Sequence, residues 1–201
     1  MRKTIGFLMA AILLVAAFTV LPVHGEAGIY DNVIRLHVLA ASDSEQDQAL
    51  KLAVRDAVLE EAQTVLKNAK DRAEAEAILR TNLPAFEEAA RAALANCGAP
   101  NTVSVSLGEE EYPTKRYEKL AFPAGEYLSL RVMIGEAQGQ NWWCVLFPPL
   151  CLSAATDRRE TETACLSAGL TGEQYRMIAD TDKTKYKLRF KILEVAEEIW
   201  K

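Results

Sequence analysis

The stretch NVIRLHVLAASDSEQDQALKLAVRDAVL, residues 32–59, decides the fold. Its first third alternates. Ile34, Leu36 and Val38 fall on one face, and Arg35 and His37 fall on the other. Period-two alternation is the mark of a strand with one side buried, so the polar pair is expected to meet water or a covering loop. The rest changes period. Ser42 with Glu45 three residues on has the capping-box pattern, and Asp43 and Ser44 are alternative caps. Leu50, Val54, Ala57, Val58, Val65 and Leu66 then recur at helical spacing. Asp47, Lys51 and Arg55 line the polar side at steps of four, where an acid ahead of a base supports the helix. A strand that runs straight into an amphipathic helix makes the chain a mixture of α and β.

Toward the C-terminus, DRAEAEAILRTNL (residues 71–83) predicts a second helix, rich in Ala and Glu. Asn82 precedes Pro84, and proline suits a first helical position, so a third helix is expected from Pro84 to Gly98, a natural C′ residue. TVSVSLG, EYLSLRVMI and NWWCVLF are strand candidates; GEAQGQ, residues 135–140, joins the last two as a hairpin. Pro148 and Pro149 end that hairpin, because proline cannot donate to a ladder. Residues 151–174 have little periodicity and read as loop with short helical pieces. KTKYKLRFKI alternates again, with Lys183, Lys185, Lys187, Arg189 and Lys191 on one side, and LEVAEEIW predicts a short terminal helix. Such a lysine stripe protects an edge strand, or steers the chain toward an acidic partner or an anionic surface. The expected fold is α+β: an N-terminal strand, a three-helix segment, a mostly β half forming a mixed or antiparallel sheet, and a short C-terminal helix.

Toward the N-terminus, Arg2 and Lys3 precede an uncharged apolar run from Ile5 to Leu21, and Gly25 and Ala27 follow Pro22. A basic start, an apolar middle and small residues are the pattern of a secretory signal peptide over residues 1–27, with an uncleaved anchor as the alternative. Residues 28–201 then form one exported domain, attached to a membrane at most through the N-terminal segment. A cut after Gly25 removes only Arg2 and Lys3 from the charge count and leaves 21 basic against 28 acidic side chains, a net charge of −7. That balance argues against nucleic acid as a partner.

The search for chemistry is mostly negative. There is no G-x-S-x-G, H-E-x-x-H, Walker or G-x-G-x-x-G pattern. Of two histidines, His24 lies in the leader, so His37 alone cannot build a multi-histidine metal site. No metal or cofactor is expected. One nucleophile–base pair remains, Cys144 with His37, which defines a cysteine hydrolase as an alternative. Four cysteines, Cys97, Cys144, Cys151 and Cys165, face an oxidising exterior. Cys144 and Cys151 are candidates for a disulfide across the double proline, and two free buried thiols are the competing reading. In NWWCVLFPPLC (Asn141–Cys151), Trp142 shares a strand face with Cys144 and Trp143 shares the other with Val145. Both tryptophans are expected mainly in the core, and one left exposed is a hot-spot anchor.

IRLHVLAASDSEQDQALKLAVRDAVL (residues 34–59) together with NWWCVLFPPLC resembles the stage II sporulation protein R family of endospore-forming bacteria. YPTKRY (Tyr112–Tyr117) and FPAGEYLSLRVMIGE (Phe122–Glu136) fit the same family in the same order. The resemblance is weak over residues 71–96 and 152–186, and Ala41 stands where the family is expected to carry Asn. It implies a non-enzymatic signal, exported from the forespore into the space between forespore and mother-cell membranes. There the signal activates a membrane-bound aspartic protease of the mother cell, stage II sporulation protein GA, which processes a sigma-factor precursor. The partner-contact candidates are Arg35, His37, Asp43, Asp47, Trp142 and Trp143. A structural envelope protein without a signalling role is the third reading.

Overall fold

The computed structural model describes residues 28–117, 120–151 and 158–179. The leader (residues 1–27), the lysine stripe Lys183–Lys191 and the terminal LEVAEEIW segment lie outside the described residues. Within them the order is β1 (Ile34–Leu39), α1 (Glu45–Leu66), α2 (Arg72–Asn96), β2 (Val103–Tyr112), β3 (Lys115–Arg116), β4 (Ala121–Phe122), β5 (Gly125–Ile134), β6 (Asn141–Phe147), α3 (Arg158–Ser167) and α4 (Gly172–Ala179). The fold is α+β with a mixed sheet in the order β2-β5-β1-β6. β1 runs parallel to β5 and antiparallel to β6, β2 runs antiparallel to β5, and β3 and β4 pair as a separate two-stranded ribbon.

The pleat sorts the sheet into two faces. Ile34, Leu36 and Val38 share one with Leu128, Leu130, Val132, Trp142 and Cys144, their register partners. Arg55 of α1 lies over the Trp142 ring, and Arg72 of α2 reaches Glu109 of β2. Both helices therefore cover this face, where Val54, Val58, Leu79 and Phe86 complete one apolar core with the strands. Arg35, His37, Glu110, Tyr112, Tyr127, Ser129, Arg131 and Trp143 share the far face.

Three sequence expectations are corrected. The strands joined by residues 135–140 form no hairpin: β1 lies between β5 and β6, parallel to the first and antiparallel to the second, because its two-sided burial suits the centre of the sheet. β1 is buried on both sides, not one, with Arg35 fully enclosed and His37 nearly so. The cause is its central place in the sheet: aromatic side chains of β2, β4 and β5 pack over its polar residues. The third correction is the helix count. Residues 72–96 form one helix with Pro84 inside it, not two helices. An interior proline costs about 3 kcal/mol or more through its missing N–H and its clash with the preceding turn. Here the apolar stripe holds its phase across the break, Ala75 and Leu79 before it and Phe86, Ala90 and Leu94 after it, all buried. A helix that stopped at Pro84 would lose that alignment, and burying Phe86 alone contributes about 2 kcal/mol. Thr81 and Asn82 bond their side chains back to the Ala77 and Ile78 carbonyls in the turn before the proline.

Candidate functional site

Arg35 is the largest fully buried side chain in the described residues. Its Nε donates to the Cys144 carbonyl at 3.1 Å and its Nη2 to the Tyr117 hydroxyl at 2.9 Å. Tyr117 passes the chain on, donating to the Trp143 carbonyl at 3.1 Å. Four rings box the guanidinium: Tyr112 at 4.5 Å, Tyr127 at 5.1 Å, Phe122 at 5.3 Å and Tyr117 at 6.0 Å. Aromatic faces attract a cation, and most strongly away from water. Yet Nη1 is buried without a partner, and no carboxylate pairs with Arg35 among the described residues. Burial raises the Tyr112 phenol well above its ordinary range and moves Tyr117 in the same direction, with the Arg35 charge pulling back more weakly on each. Tyr112 shares a 2.7 Å hydrogen bond with Ser129.

Two residues along β1, His37 Nδ1 lies 2.8 Å from Glu110 Oε1, which also sits 3.7 Å from Arg131. The imidazole packs beside Trp143 and Tyr112, and its Nε2 is buried without a partner. Lys115 places its ammonium 3.4 Å from the centre of the Trp143 ring. Loss of hydration, then the Arg35 charge, lowers the pKa of Lys115.

The sequence candidates divide between these surroundings. Arg35, fully enclosed, offers no surface for direct contact; His37 offers almost none. Trp143 is half-buried on the far face, and Trp142 is half-buried on the helix side under Arg55. Asp43 accepts from the Gln140 backbone N–H at 2.7 Å, and Lys51 donates to the Gln140 carbonyl at 3.0 Å. Together they tie the β5–β6 turn to the start of α1, where Gly139 lies so close to Ser42 that a side chain would strike its carbonyl. The Asp47 carboxylate accepts from the Ser42 hydroxyl, while Ser44, not Ser42, caps α1 by accepting from the Asp47 N–H at 3.1 Å.

Cys144 and Cys151 are joined in a disulfide with Cα atoms 5.5 Å apart, across a cis Phe147–Pro148 bond. The Cys144–His37 dyad is not assembled. Cys144 pairs with Leu36 and points to the helix side; His37 pairs with Trp143 and points to the far face. A sulfur in a disulfide is also no thiolate nucleophile. Cys165 is a buried free thiol pushed up to about 12 by burial, and Cys97 is free and exposed. No cluster of three or more His, Cys, Asp or Glu suited to a metal occurs among the described residues.

Sequence reading passed over Glu110, Tyr112, Tyr117, Arg131 and Lys115. The available signal was Ser129 and Arg131 alternating with Leu128, Leu130 and Val132, the same polar-apolar pattern as Arg35 and His37 in β1.

The family model for stage II sporulation protein R matches residues 30–157, which take in every far-face residue named above. The Stage II sporulation protein R of Bacillus subtilis (strain 168) is 44% identical over 123 residues, covering 61% of this chain and 55% of that relative. The chain thus matches little more than half the length of this relative. No solved structure matches it.

Proposed function

The chain belongs to the stage II sporulation protein R family, and from that premise we propose that it is an exported signal that switches on a membrane-bound protease during sporulation. The protease is the aspartic enzyme of the mother cell, stage II sporulation protein GA, and the result is processing of a sigma-factor precursor. The chain acts as a non-catalytic ligand. The observation that supports this most is the family match across residues 30–157, which spans the far-face cluster. The separation of Cys144 from His37 removes the geometry that favoured a hydrolase. To activate by binding, a ligand must favour the active state of its receptor, since equal affinity for both states shifts nothing. A folded domain with a fixed surface meets that need.

Co-expression of the protease and its sigma-factor precursor, with and without this chain, tests the reading. Cleavage that depends on the chain is expected; cleavage indifferent to it overturns the proposal in favour of a structural envelope role. Export is tested by N-terminal sequencing. A mature start near Glu26 or Gly28 is expected. Met1 retained in a membrane fraction makes Ile5–Leu21 an anchor.

A further inference from the structure

One row of side chains crosses the far face in register: Ser106 on β2, Arg131 on β5, His37 on β1 and Trp143 on β6. Adjacent strands lie about 4.8 Å apart, so the row is roughly 15 Å long. Neither α1 nor α2 covers it, since both lie on the opposite side of the sheet. The Arg131 side chain is 45% exposed, Trp143 and Lys115 are half-buried, and Leu39 and Met133 pair with each other in the next row, also half-buried. The charge is unbalanced. Among the described residues that build this face, Arg35, Arg131 and Lys115 stand against the single carboxylate of Glu110, on a chain whose net charge is −5. Glu110 is already shared between His37 and Arg131, and Lys115 rests on an indole with no carboxylate within ion-pair distance among the described residues. His37 Nε2 is left without a partner between the two flanking cations.

We propose that this row is the docking surface for an acidic segment of the partner protein. A carboxylate of the segment pairs with Arg131 and a second with Lys115. An apolar side chain between them covers the accessible part of the Trp143 ring. The identity of the partner as the protease's exposed domain rests on the functional reading above; the chemistry of the surface does not. A solvated sheet face, the ordinary state of an antiparallel sheet with one side in water, has no need of a cation surplus.

The test has two arms. In the first, an acetylated hexaglutamate peptide is titrated into the purified full chain at low salt and followed by amide NMR shifts. Shifts centred on Ser106, Arg131, His37 and Trp143 are expected, and they collapse at high salt. Shifts absent, or centred on α1 and α2, overturn the surface. In the second, Arg131→Glu, Lys115→Glu and the exposed helix-side control Arg80→Glu are bound to the protease's exposed domain. The two far-face reversals are expected to weaken binding about tenfold or more, and the control to stay within about twofold of wild type. Far-face variants that bind like wild type overturn the inference. A wild-type chain that shows the peptide shifts but does not bind the protease domain overturns the protease reading and leaves the surface standing.

Discussion

The two faces of the same four strands are built on opposite principles. The helix side is apolar throughout its centre: Leu36 and Val38 meet Leu130 and Val132 under Val54, Val58 and Leu79. Its stability comes from area removed from water and needs little geometric precision. The far side buries a guanidinium, an imidazole, a carboxylate and two phenols within the same sheet. Three of its polar atoms, Arg35 Nη1, His37 Nε2 and Glu110 Oε2, have no partner. Leaving such groups unsatisfied costs free energy that an apolar face avoids. The difference teaches that β1 serves both ends at once: alternate residues of one strand build the apolar core and carry a polar cluster. Departures from local consistency of this kind gather at functional sites.

That comparison can be broken by measurement. The largest effect is expected on the helix side. Leu36→Ala should cost about 2–5 kcal/mol in denaturant unfolding, as for a buried leucine that leaves a cavity. A cost below about 1 kcal/mol would deny that this face is the seat of stability. Next comes the bridge, whose Cys144 end also points to the helix side. Reducing it, or making Cys144→Ser with Cys151→Ser, should cost about 2 kcal/mol, modest because only seven positions separate the two cysteines.

Arg35→Met tests the far side. The substitution removes a larger and equally buried side chain than Leu36→Ala does, yet should shift stability by only about 1 kcal/mol in either direction. Replacing a buried charge by an apolar group of similar volume is commonly neutral or favourable. The Cys144 carbonyl left without its donor and the lost ring contacts offset part of the gain. A loss exceeding that of Leu36→Ala would make the guanidinium the keystone of the domain and reverse the comparison.

The smallest effect is a slope with pH. Burial raises the Tyr112 phenol above its ordinary 10.0, so the folded state keeps its proton where the unfolded chain gives it up. A raised acid of this kind leaves stability untouched below pH 10 and erodes it as pH rises further. Tyr112→Phe should flatten that alkaline decline. An unchanged slope would place its cause elsewhere, with Cys165, displaced in the same direction on α3, as the next group to examine.

Much of the helix side was legible in the sequence. Alternation in residues 34–38 and helical spacing from Leu50 onward identify β1 and α1, and both follow from local periodicity. The α+β class follows from the order of the elements. The far side was legible only as a list of residue types. Arg35 is boxed by rings from β2, β4, β5 and the residue just after β3, brought together by a register that no single sequence displays. Polar residues on an alternating strand are read as solvent-facing by default, and that default fails when the strand is central. Pro84 misled for a similar reason: a local stop signal was outweighed by burial on both sides of it.

The position of β1 also governs the order in which the molecule can assemble. Among the described residues it is the first strand, yet its two neighbours in the sheet are the last two, β5 and β6. The bond from Arg35 to Cys144 closes a span of 109 residues. As the chain emerges from its N-terminus, α1 and α2 can form and pair early, while β1 waits with both edges open. Such non-local pairing delays folding compared with a helical bundle of similar size. A chain that ends before Asn141 leaves one side of β1 without a neighbour and Arg35 without the Cys144 carbonyl. The four-stranded sheet is therefore completed only by β6, and a fragment halted short of it leaves an edge of the central strand open to pair with other chains.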